Sequence, residues 1–145
     1  MAVPDKMDRM PNTISLCVDD TSEGNFVGRI YHFYSKDALL FTDLSSCINT
    51  IEAVLDAVGY PDNTVRDRVF KKGTSRKLAL DFDKDVRQQS INELAGKSGK
   101  MHTVIMCVNS RNNASWQGEA YVKEEDKVIS YKSALDLVRQ VGGTW

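Results

Sequence analysis

Laid against itself at an offset of 90 residues and without a gap, the chain repeats. Thr13 falls on Thr103, Cys17 on Cys107, Val18 on Val108, Gly28 on Gly118 and Tyr31 on Tyr121. The same register sets Ile14 against Val104, Leu16 against Met106, Phe26 against Trp116, Leu39 against Ile129, Phe41 against Tyr131, Ile48 against Val138 and Ile51 against Val141. A fixed period of this kind reads as one supersecondary unit used twice.

Each copy carries the same grammar. Ile14, Leu16 and Val18 share one side of a strand, with Ser15 and Cys17 on the other. Asp19 to Asn25 reads as a turn, Phe26 to Tyr31 alternates as a second strand, Ser35-Lys36-Asp37 reads as another turn, and Ala38 to Phe41 as a third strand. Leu44, Ile48, Ile51, Leu55 and Val58 then follow helical spacing, with Asp43 as the N-cap and Gly59 with Pro61 as the stop. In the second copy Asp43 falls on Ser133, which opens a Ser133-x-x-Asp136 capping pattern. The expected fold is therefore α+β: antiparallel sheet, in one piece or two, with helices packed on one face. A β-β-β-α unit occurs twice, over 13–59 and 103–142.

The 145 residues suit one domain covering 1–145, large enough to need no disulfide or metal. A hydrophobic fraction of 41% and a net charge of −1 place it among globular chains without a field steering it to nucleic acid or acidic lipid. The start is polar and no long apolar run occurs, so a cytoplasmic protein with no membrane contact is expected. Cys17, Cys47 and Cys107 form no C-x-x-C pair and sit in apolar stretches, which reads as buried thiols. No metal or cofactor is expected.

Residues 60–100 differ in character. Arg66, Arg68, Lys71, Lys72, Arg76 and Lys77 face only Asp67, making the one basic cluster. Leu78 to Phe82 reads as a strand, Asp83 to Ala95 as a polar helix, and Gly96-Lys97-Ser98-Gly99-Lys100 as a flexible link. Gly96-Lys97-Ser98 lacks the upstream glycine of a phosphate loop, since Ile91 stands there. Asp81-x-Asp83-x-Asp85 lacks the glycine and glutamate of a calcium loop, since Val86 and Asn92 stand there.

Asn113-Ala114-Ser115-Trp116-Gln117-Gly118 matches half of the PilZ signature, but no R-x-x-x-R exists to hold phosphates. Its structural reading is a polar turn leading Trp116 into the core, with Gly118 at a bulge or close backbone approach. The run Arg111-x-Asn113-Ala114-Ser115-Trp116-Gln117-Gly118, followed by Tyr131-x-Ser133-Ala134-Leu135-Asp136-Leu137, resembles a family of short uncharacterised proteins of anaerobic gut Firmicutes (Clostridia). Tyr34 to Pro61 is similar to that family's first half, and Tyr131 and Lys132 stand where the family has phenylalanine and arginine. The resemblance implies no activity.

Neither His32 nor His102 has a nucleophile or carboxylate at a spacing that one element would bring together, so the chain does not read as an enzyme. It reads as a bacterial binding module. The sheet face away from the helices would carry Arg29, Tyr31, Phe33, Glu119 and Tyr121, too apolar to be simply solvated. Either the middle segment covers that face, or it meets a protein partner or a second copy. The alternative is nucleic-acid binding, through Arg66, Arg68, Lys71, Lys72, Arg76 and Lys77 with the sheet aromatics.

Overall fold

A computed structural model describes residues 4–60, 80, 82–112 and 115–142. The protein is α+β. Six antiparallel strands form one sheet in the order β3-β2-β1-β4-β5-β6. These are β1 (Ile14–Asp20), β2 (Val27–His32), β3 (Ser35–Phe41), β4 (His102–Asn112), β5 (Ser115–Val122) and β6 (Lys127–Tyr131). The helices are α1 (Asp5–Arg9), α2 (Leu44–Val58), α3 (Ile91–Ala95) and α4 (Ala134–Gly142). The single sheet exists because β1 pairs with β4, Ile14 opposite Met106 and Leu16 opposite Val104.

On either side of that central pair the geometry runs in parallel. Register slips between Val18 and Asp20 where β1 meets β2, and between Val108 and Ser110 where β4 meets β5. Beside each slip is a glycine with no room for a side chain. A Cβ on Gly28 would stand 2.0 Å from the Cys17 carbonyl oxygen, and one on Gly118 would stand 2.1 Å from that of Cys107. The cross-strand neighbour is aromatic in both places, Phe41 over Gly28 and Tyr131 over Gly118. The ring fills the space that the absent side chain leaves.

One face of the sheet makes the main core. Ile14, Leu16, Val18 and Ile30 meet Val104, Met106, Val108 and Trp116 there, beneath Ile51, Val54 and Leu55 of α2 and Ala134 and Leu137 of α4. α2 begins at a reciprocal capping box in which Asp43 accepts from the Ser46 N–H and the Ser46 hydroxyl accepts from the Asp43 N–H. Such a cap contributes about 1 kcal/mol. The helix ends at Gly59, whose φ of 82° is left-handed. In α4 the Ser133 hydroxyl accepts from the Asp136 N–H, as its capping pattern predicts.

Three local expectations are corrected. Ser35-Lys36-Asp37 is not a turn: it lies in β3, and the chain reverses at Phe33-Tyr34. An irregularity between Ile30 and His32 pairs His32 with Ser35 and tightens the loop to two residues. Both are buried, which disguised the turn as strand. The helix expected from Asp83 to Ala95 is confined to Ile91–Ala95, behind a Ser90/Glu93 capping box. Upstream of it, residues 83–90 clasp the β2–β3 turn: the Phe33 carbonyl accepts from the backbone N–H of Gln88 and Gln89, and the Gln89 amide donates to His32 and Ser35 carbonyls. The expected strand 78–82 lies largely outside the described residues, and Leu80 and Phe82 are not in a strand. Among the described residues no helix is long and apolar enough to cross a membrane.

Candidate functional site

The second sheet face, away from α2 and α4, is where the interaction surface was expected, and it is unevenly covered. Tyr121 and Phe33 are buried. Phe33 does not lie on this face at all, because the tight turn sends it into the main core, with the Arg87 guanidinium 3.7 Å above its ring. Tyr121 joins Ile105 and Cys107 beneath Met7 of α1 in a small second core. The Tyr121 hydroxyl donates to Asp126 at 2.9 Å, and Glu119 is paired with Lys6. Burial pushes the pKa of the Cys107 thiol above its ordinary value, as it does for Cys17.

The expected flexible link is bound to the sheet, which corrects that reading. Arg29 donates to Asp19 at 3.1 Å from both Nε and Nη2, to the Ser98 carbonyl at 2.7 Å and to the Tyr31 hydroxyl at 3.0 Å. The Arg29 guanidinium holds the Asp19 carboxyl below the usual carboxylate range. Asp19 also accepts from the Lys100 N–H. The Lys123 ammonium donates to the carbonyls of Ala95 and Lys97 and to the Ser98 hydroxyl. The Lys97 ammonium lies 4.9 Å from the Tyr31 ring. Gly99 passes so close to β1 that a Cβ there would meet Val18 backbone atoms at 2.6 and 2.7 Å. Glycines that promised flexibility in the sequence instead permit close approach.

Arg29 and Tyr31 thus come together with residues 97–100, while Glu119 and Tyr121 come together with α1. Both outer margins of the face stay open: Leu40, opposite Arg29 on the edge strand β3, is 72% exposed, and Val128, opposite Tyr121 on the edge strand β6, is 46% exposed. The basic residues Arg66, Arg68, Lys71, Lys72, Arg76 and Lys77 lie outside the described residues.

A second cluster, unforeseen from the sequence, ties the sheet to α2. Arg111, itself buried, donates from Nη1 to Glu52 and from Nη2 to Asp56, each at 2.7 Å. The Trp116 indole N–H donates to the other Glu52 oxygen. Carboxylates four residues apart on one helix face, Glu52 and Asp56, were the available signal. His32 is buried between Tyr34 and Phe82, with ring centroids 6.0 and 4.8 Å away. Burial lowers it to about 4, and its Nδ1 accepts from the Tyr34 N–H. This neutral histidine shapes a turn. Among the described residues no group of three potential ligands could hold a metal ion. Compared with known proteins, the chain matches no family model, no curated protein and no solved structure.

Proposed function

We propose that the chain is a duplicated β-β-β-α unit serving as a non-catalytic interaction module, and that it self-associates through the β2–β3 side of the second sheet face. The duplication is supported by two slips, two closed glycines and two aromatic covers, each pair 90 residues apart. Within this reading the Arg-x-Asn-Ala-Ser-Trp-Gln-Gly run is a structural tie, since its Arg111 and Trp116 both reach Glu52.

The observation that carries the interaction reading is Leu40. A leucine 72% exposed on an edge strand, beside Arg29 and the partly buried Tyr31, is an apolar centre with a polar, aromatic rim. Lys36 and Asp37, also exposed on β3, discourage indiscriminate edge pairing, which favours contact through the face over open strand addition. A second copy is the partner to test because the chain already buries one such unit against another along β1 and β4.

Sedimentation velocity over a concentration series tests the reading. The wild-type chain should show a reversible dimer, and Leu40→Asp should be monomeric throughout with unfolding unchanged within about 0.5 kcal/mol. A wild-type chain that stays monomeric at the highest concentration attainable ends the self-association reading. The nucleic-acid alternative predicts instead a retarded single strand or duplex at low salt, lost between about 50 and 200 mM.

A further inference from the structure

We propose that residues 4–10 form a latch that opens locally while the sheet stays folded, uncovering an apolar cradle made by Ile105, Cys107 and Tyr121. α1 has five residues and no side-chain cap at its N-terminus. A helix that short does not persist in water unless docked. Its docking rests on one apolar side chain, Met7, which is 0% exposed over Ile105, Cys107 and Tyr121, with Met10 and Ile91 at the margin. The remaining ties are two exposed ion pairs, Lys6 to Glu119 and Arg87 to Asp8 at 3.1 Å, and one buried hydrogen bond, from the Thr13 hydroxyl to the Met7 carbonyl at 2.6 Å. Exposed ion pairs contribute little.

The latch has a defined inner limit. Asn12 is buried, donates to the Val108 and Tyr60 carbonyls and accepts from the Val108 N–H, so it moves only with β4. The Tyr34 hydroxyl likewise holds the Pro11 carbonyl at 2.8 Å. Everything before Pro11 can lift at the loss of one buried side chain and one buried hydrogen bond, whereas lifting Asn12 breaks the main-chain contact with the sheet. The open cradle is an apolar hollow with Glu119 on its rim. This cradle is separate from the Leu40 patch, and the test below does not depend on association.

Cys107 reports the opening, and Cys47, buried in the main core under α2, reports unfolding of that core. The full chain is treated with N-ethylmaleimide in native buffer and the modified thiols are identified by peptide mass spectrometry. Cys107 should react well before Cys47. Met7→Ala should speed Cys107 at least about tenfold and leave Cys47 unchanged. Lys6→Glu, which leaves the core untouched, should speed Cys107 a few-fold, about what an exposed pair supports, and Lys6→Glu with Glu119→Lys should return it toward the wild-type rate. Equal rates at Cys107 and Cys47, acceleration of both together, or no acceleration at Cys107 in either single variant would overturn the latch.

Discussion

The β2–β3 side and the β4–β5 side of the second sheet face begin from matched positions and end under different covers. Tyr121 is sealed by α1, and Glu119 answers Lys6. Tyr31, its match 90 residues earlier, receives a lysine and an arginine from residues on its own margin, and Leu40 beyond it is bare. The inner strand pairs are not the cause, since register, slips and glycines agree in β1–β2 and β4–β5, although β2–β3 carries an irregularity at Ile30–His32 that β5–β6 lacks. The difference comes from segments outside the matched units, α1 and residues 83–100. Exposure on this face is set by what the flanking chain lays over it, and the strands supply only the frame.

The strongest way to break the comparison is at the paired glycines. Gly28→Ala and Gly118→Ala each drive a Cβ into a carbonyl oxygen of the neighbouring strand, so each should cost more than about 4 kcal/mol or abolish folding. Urea unfolding checks this, and a tolerated alanine at one glycine alone would show that the two sides are not equivalent. Next in size, Arg111→Ala removes a buried side chain with its charge-assisted hydrogen bonds to Glu52 and Asp56 and should cost about 2 to 3 kcal/mol, the two carboxylates keeping access to water. Its match at Thr21 anchors no such cluster, and Thr21→Ala should fall within about 0.5 kcal/mol of wild type. Similar losses for both variants would remove the asymmetry.

Acid separates the two sides by another route. His32 has Val122 as its match, so only the first side carries a buried imidazole. Folded, it stays neutral down to about 4, while in the unfolded chain it takes up a proton as pH falls through about 6.5. The unfolded state therefore binds more protons across that interval. Stability present above pH 6.5 is lost on acidification toward 4, by about 3 kcal/mol in all. His32→Gln keeps an acceptor for the Tyr34 N–H and should flatten the pH dependence. Amide exchange at pH 5 should loosen the β2–β3 hairpin before β5–β6, and simultaneous loosening would place the acid-sensitive group elsewhere.

Strands, caps and the helix-side core were legible because each is fixed by local periodicity: Ile14, Leu16 and Val18 alternate, and Asp43 and Gly59 bracket a helical spacing. The turn at Phe33-Tyr34 was not legible, since its aromatic residues carry no turn signal and its reversal depends on Gln88 and Gln89 from a distant segment. Gly96 to Lys100 misled for the opposite reason. Glycine marks conformational freedom in a sequence, but whether that freedom becomes a linker or a close contact depends on Arg29, Asp19 and Lys123, far away along the chain. Met7 carried a weaker signal still. One methionine among charges on five residues says nothing until Ile105, Cys107 and Tyr121 are assembled beneath it.

The smallest effect sharpens the comparison most finely. Phe41 and Tyr131 cover matched glycines, and they differ by one hydroxyl. The Tyr131 hydroxyl donates to the Cys107 carbonyl at 2.7 Å, out of contact with water, and burial pushes its pKa well above the ordinary tyrosine value. Tyr131→Phe makes the second side chemically like the first. The lost hydrogen bond should cost about 1 kcal/mol, with the ring still packed over Gly118. Introducing the hydroxyl on the other side, Phe41→Tyr, should not give a mirror-image gain, because the Phe41 ring also packs against Phe26 with centroids 5.3 Å apart. If Phe41→Tyr stabilises by as much as Tyr131→Phe destabilises, the two covers are interchangeable and the sides match down to single atoms. If it destabilises, they share a backbone plan but have repacked around different rings.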